Sequence, residues 1–118
     1  MRTVRYVRGV DSPSRKQLDA MVEQATVDCY NDAEQATGFF TMLEEHLAVP
    51  FDTQVLGVDV SVCAIDMTEH DQIIAVCSRG QLRQTIPILD LPLPEPTPTG
   101  VEWIDAYRYW RTRERRQS

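Results

Sequence analysis

Apolar residues recur at helical spacing through the first part of the chain and in alternation through the third quarter. Ser12-Pro13 has the form of an N-cap followed by proline at the first helical position, where a missing N–H is harmless. Leu18, Met21, Val22, Ala25 and Cys29 then form one apolar stripe, which predicts a helix ending near residue 29. Asn31 and Asp32 interrupt the stripe, and Asp32 with Gln35 three residues on has the form of a capping box for a second helix. That helix carries Ala36, Phe39, Phe40, Leu43 and Leu47 on one side and is expected to stop before Val49-Pro50. Gly38 inside it lowers helix propensity by about 1 kcal/mol, so it marks close approach of a neighbouring element.

From Phe51 the apolar period changes to that of strands. Residues 51–57, 58–66, 72–78 and 82–88 read as four short strands. In the second, Val58, Val60, Val62 and Ala64 alternate with Asp59, Ser61, Cys63 and Ile65, which predicts one apolar face. Met67 to Asp71 and Arg79-Gly80-Gln81 read as turns, so the last three strands form a meander of the kind found in SH3-like barrels. Four prolines in residues 89–99 exclude a helix there. Thr99 is placed to cap a last helix, with Val101, Ile104, Tyr107 and Trp110 on one side. The tail from Arg111 is expected to fray.

The expected architecture is therefore α+β: an N-terminal helical pair packed on a small SH3-like antiparallel β-barrel, with a C-terminal helix. Its parts are 12–48 (helical pair), 51–90 (strands), 91–99 (proline-rich connector), 100–111 (last helix) and 112–118 (basic tail). With 118 residues, 42% of them apolar, one domain with one core is expected.

Charge sharpens the picture. The chain has a net charge of −6, but the signs are segregated. Residues 17–106 carry sixteen acids against Arg79 and Arg83, a net of −14, whereas each end is basic, with Arg2, Arg5, Arg8, Arg15 and Lys16 at one and five arginines at the other. Such a body repels nucleic-acid phosphates and attracts cations or a basic protein partner. The sequence has neither an apolar run of membrane-spanning length nor an apolar stretch behind the basic N-terminus, so membrane association and export are not expected. Cys29, Cys63 and Cys77 are odd in number and lack C-x-x-C spacing, which fits reduced thiols in the cytoplasm.

Recognisable catalytic motifs are missing: there is no glycine-rich phosphate loop, nucleophile elbow or H-E-x-x-H. His46 suits the end of the second helix, where a cation complements the dipole. His70 with Cys63 and Cys77 admits a zinc reading, which two buried apolar cysteines explain equally well. Carboxylates are the richer material. They fall into three sets: Asp28, Asp32 and Glu34 with Asn31 at the helix junction; Glu44-Glu45 late in the second helix; and Asp66, Glu69 and Asp71 in the turn between the second and third strands. Calcium takes about six to eight hard oxygen ligands and can draw them from loop acids, carbonyls and water without a fixed motif. On spacing alone, a cap, a solvated face and a polar turn account for these sets better than an ion site does.

Residues 27–51, VDCYNDAEQATGFFTMLEEHLAVPF, resemble the CcbP-like family of small calcium-binding proteins. The resemblance is carried by Asp28, Tyr30, Glu34, Gln35, Gly38, Phe39, Leu43, Glu44, Glu45, Leu47, Pro50 and Phe51. It continues more loosely at Val76, Ile86 to Leu89, Glu102-Trp103 and Tyr109-Trp110. It implies a helical pair on an SH3-like barrel, no enzymatic activity, and Ca²⁺ as the bound ion. One departure matters: the family's acidic stretch between the second and third strands is reduced here to Met67-Thr68-Glu69-His70-Asp71, which implies weaker binding.

The expectation is thus a non-enzymatic acidic protein that buffers or senses Ca²⁺ through Asp28, Asp32, Glu44, Glu45, Asp66, Glu69 and Asp71. The alternative is an SH3-like interaction module that docks a basic partner or peptide without metal. Exposed Trp103, Tyr109 or Trp110 beside a broad acidic surface would favour that module.

Overall fold

The computed structural model describes residues 12–117, with side chains as far as Arg113. The basic N-terminal group Arg2, Arg5 and Arg8 and the last side chains of the tail lie outside the described residues. In chain order come helix α1 (Arg15–Ala25), helix α2 (Asp32–His46), strands β1 (Phe51–Val55), β2 (Val58–Met67), β3 (Ile73–Arg79) and β4 (Leu82–Pro87), a 3₁₀ turn (Ile88–Asp90) and helix α3 (Glu102–Gln117).

The class is α+β, as the periodicities require, but the barrel is not closed. The strands form an antiparallel sheet in the order β1-β2-β3-β4, so β1 and β4 are its edges and do not pair with one another. The N-terminal helices do not act as a pair set apart from the rest. α1 packs on α3 as well as on α2, while α2 meets the sheet through β2.

Several element ends differ from expectation, each for a local reason. Ser14, not Ser12, caps α1: its hydroxyl accepts the Gln17 N–H at 3.1 Å and Gln17 Oε1 accepts the Ser14 N–H at 2.7 Å, a complete capping box. α1 also stops earlier, at Ala25, and Asp28 turns the chain with a φ of 62°. Asn31 rather than Asp32 caps α2, its Oδ1 accepting the Glu34 N–H at 2.8 Å; Asp32 becomes the first helical residue, where its charge suits the dipole. At the other end of the chain α3 runs on to Gln117, past the expected fraying point. Arginine, glutamate and glutamine are good helix formers, and arginines late in a helix complement its dipole.

The strand reading misplaces one residue. Val62 and Cys77 are directly opposed, but the next pair is Ala64 with Val76, so Cys63 is an extra residue in a β-bulge. The bulge reverses the alternation. Val62 and Ile65 both face the core, and Ala64, expected on that face, is only half-buried.

The core forms where the helices meet the sheet. Phe39 and Leu43 of α2 are 0% exposed, packed with Val62, Ile73, Ala75 and Cys77 from the sheet, with Val101 just before α3 and with Ile104, Tyr107 and Trp110 from α3. The Phe39 ring lies 5.7 Å from Tyr107 and 5.3 Å from Trp110, and the Trp110 indole N–H donates to Gln35 Oε1 at 2.9 Å. Gly38 is where α2 crosses the end of α1: a Cβ there would run into the Ala25 carbonyl oxygen. The close approach expected from the sequence is present.

Candidate functional site

The α1–α2 junction is built by short-range hydrogen bonds. The Glu34 carboxylate accepts the Tyr30 N–H at 2.6 Å, while the Cys29 thiol donates to the Glu34 carbonyl at 3.4 Å. Together with the Asn31 cap they fold residues 27–34 into a compact corner. Asp28, Cys29, Ala33, Glu34 and Thr37 line a shallow depression on it. Asp32 is exposed and is not among the residues lining that depression.

The second acidic segment is the β2–β3 turn. Thr68 pins it: its hydroxyl accepts the N–H groups of His70 at 3.2 Å and Gln72 at 3.1 Å, and its backbone carbonyl accepts that of Asp71 at 3.0 Å. Asp71 has a φ of 62°, and the tip is turned outward, with the Glu69 and His70 side chains each 88% exposed. Asp66, just before the turn, uses one carboxylate oxygen on the Met67 N–H at 2.8 Å.

A side-chain contact links these two segments. Thr37, on the wall of the Asp28–Glu34 depression, has its hydroxyl 4.0 Å from the sulfur of Met67, the residue after Asp66. Glu44 and Glu45 stand apart, about two helical turns further along α2. Both are exposed, and Glu45 lies 3.9 Å from His46, whose ring stacks on Trp103 at 5.6 Å.

None of the seven candidate carboxylates has an arginine or lysine within ion-pair distance among the described residues. Among the described residues, Arg113 of α3 reaches an acid outside this set, Asp19. The donor chemistry therefore suits a hard cation: anionic oxygens, exposed and uncompensated. Convergence is a different matter. Among the described residues no three histidine, cysteine, aspartate or glutamate side chains gather closely enough to hold a metal ion. The zinc reading of His70 with Cys63 and Cys77 has no such cluster to rest on; Cys63 Sγ instead lies 3.1 Å from Ser78 Oγ.

Two further acids, outside the three sequence sets, lie together on the sheet. Asp52 and Asp59 lie on facing strands with Ser61 and Gln54: Asp52 accepts the Ser61 hydroxyl at 2.7 Å, and Asp59 accepts the Gln54 amide at 2.8 Å. The signal was available in the alternation, which places Asp52, Gln54, Asp59 and Ser61 on one face of the β1–β2 hairpin.

The aromatic residues that would mark a protein-docking face are mostly inside. Trp103 and Trp110 are buried and Tyr109 is half-buried, so this feature gives the interaction-module alternative no support.

An open four-stranded sheet under three helices defines a small α+β protein, whose seven candidate carboxylates are exposed and, among the described residues, unpaired with arginine or lysine. The family whose model matches it, over residues 19–111, is described as calcium binding, CcbP type. The match spans most of the chain, and the protein belongs to this calcium-binding family. No curated protein and no solved structure matches the chain.

Proposed function

We propose that this protein is a non-enzymatic Ca²⁺ binder, a buffer or sensor, that works through exposed carboxylates. The observation that carries the reading is the absence of any arginine or lysine partner for Asp28, Asp32, Glu44, Glu45, Asp66, Glu69 and Asp71 among the described residues, in a family described as calcium binding. Mutual repulsion of such groups is relieved by a divalent cation.

Within that set, the α1–α2 corner with the β2–β3 turn is the primary locus. Asp28, Asp66, Glu69 and Asp71 would supply carboxylate oxygens there, with Glu34, backbone carbonyls and water completing the shell. Glu44 and Glu45 form a separate, weaker locus. Because no preformed cluster of three ligands exists among the described residues, side chains must be drawn together on binding, and that ordering costs entropy. Affinity in the upper micromolar to millimolar range follows from few charged ligands in a loose site.

Binding alone is the activity we propose; no bond is made or broken. The free thiols of Cys29, Cys63 and Cys77 support a reducing, cytoplasmic setting. Isothermal titration with Ca²⁺ and, separately, Mg²⁺ tests the reading. A saturable Ca²⁺ isotherm that Mg²⁺ does not reproduce is the expected result, and no heat at millimolar Ca²⁺ overturns it.

A further inference from the structure

A cleft of about 380 Å³ lies where α3 passes the 3₁₀ turn and the start of β3, with Gln72, Asp90, Tyr107, Arg108 and Arg111 among its walls. Arg108 and Arg111 are three residues apart on α3, so both belong to one face of the helix. Each is held in place without being neutralised. Arg108 Nη1 donates to the Leu89 carbonyl at 3.2 Å, which draws the guanidinium to the cleft wall and leaves its other N–H groups available. The Arg111 guanidinium stands 6.0 Å from the centre of the Tyr107 ring, and that ring is fixed in the core beside Trp110 and Phe39. Neither arginine has a carboxylate within ion-pair distance among the described residues, although Asp90 lines the same cleft.

We propose that this cleft binds a small molecule carrying an oxyanion, phosphate or carboxylate, between Arg108 and Arg111. Guanidinium groups match the geometry of such oxyanions and can meet them with paired N–H donors. Asp90 narrows the class further. Its carboxylate only accepts hydrogen bonds, so a ligand that meets it as well as the arginines carries a hydroxyl or ammonium donor beside its oxyanion. A hydroxylated phosphate fits both requirements, and inorganic phosphate fits only the first. None of the seven carboxylates proposed for Ca²⁺ lines this cleft, but Gln72 follows Asp71 directly, so the oxyanion titration is run without calcium.

The test is titration of the full ¹⁵N-labelled chain, in calcium-free buffer, with glycerol 3-phosphate, inorganic phosphate, lactate and chloride. The readout is the shift of the Arg108 and Arg111 side-chain N–H and Gln72 amide signals. Saturable binding of glycerol 3-phosphate is expected, about threefold to tenfold tighter than inorganic phosphate, the contribution of one added hydrogen bond. Saturation by lactate at lower concentration than by glycerol 3-phosphate assigns the carboxylate member of the class. Arg108→Gln with Arg111→Gln should abolish saturation, and Arg113→Gln, whose guanidinium faces Asp19, should not change it. Should the double variant not fold, Asp90→Asn gives a second reading: inorganic phosphate should bind it more tightly. Shifts that chloride reproduces, no saturation with any oxyanion, equal loss in Arg113→Gln, or no gain in Asp90→Asn each overturn the proposal.

Discussion

Arg113 Nη1 lies 3.8 Å from Asp19 Oδ1, and the same oxygen accepts the Tyr109 hydroxyl at 2.6 Å, joining the last helix to the first. The contact matters for what it leaves undone: the arginine is spent on an acid outside the seven candidate carboxylates. Both partners of the pair are roughly half exposed, so most of its value lies in the tyrosine hydrogen bond. Asp19→Asn should lower unfolding free energy by about 1 kcal/mol in urea titration and leave Ca²⁺ affinity unchanged. A change in Ca²⁺ affinity comparable with that of an Asp28 variant would place Asp19 at the site.

Gly38 tests the packing of the helical layer. Glycine-to-alanine in a helix normally stabilises by about 1 kcal/mol. Here the added methyl group meets the Ala25 carbonyl, so α1 and α2 must move apart. Gly38→Ala should therefore destabilise, by about 1–3 kcal/mol, the usual range for overpacking. A rise in the urea midpoint would show that the crossing has room for a methyl group.

Cys77 gives the protein a pH dependence on the alkaline side. Burial in the core, and secondarily the neighbouring Cys63, holds its thiol above its ordinary value of 9.0. In the unfolded chain the thiol ionises at that ordinary value, so above it the unfolded state binds fewer protons than the folded one. Stability from this group is complete below pH 9.0 and is lost as pH rises toward the raised folded value. Urea midpoints should fall above about pH 9 in the native chain and fall less steeply in Cys77→Val, a swap of similar size. Parallel slopes would contradict the assignment.

Much of the fold was legible because long stripes and alternations constrain it. Phe39, Leu43, Ile104, Tyr107 and Trp110 sit where their spacing predicts, and Gly38 marks a real crossing. What failed was local or long-range. The bulge at Cys63 cannot be read from residue types, and it exchanges Ala64 for Ile65 on the core face. Competition between neighbouring cap residues, Ser12 with Ser14 and Asn31 with Asp32, is settled by which side chain reaches an amide three residues on. Whether four strands close depends on β1 meeting β4, a pairing no short window contains, and they do not.

The candidate site was less legible than the fold. The sequence groups acids by proximity along the chain, whereas the Thr37–Met67 contact links two of the segments that carry them, and Glu44-Glu45 lie about two helical turns beyond Thr37. Asp32 has the sequence context of a cap, but Asn31 caps the helix and Asp32 is not on the wall of the corner's depression. The acids of β1 and β2 share one face of a hairpin, which is visible only once the register is known.

The most direct measurement is a Ca²⁺ titration of the ¹⁵N-labelled chain, repeated with Asp28→Asn, Asp66→Asn with Asp71→Asn, and Glu44→Gln with Glu45→Gln. Saturable shifts confined to residues 28–37 and 66–72 are expected, weakened about tenfold or more by the first two variants and little by the third, as loss of a charged ligand would give. Shifts that never saturate, that Mg²⁺ reproduces, or that survive the Asp28 and Asp66 changes unaltered would contradict a Ca²⁺ site at these two segments.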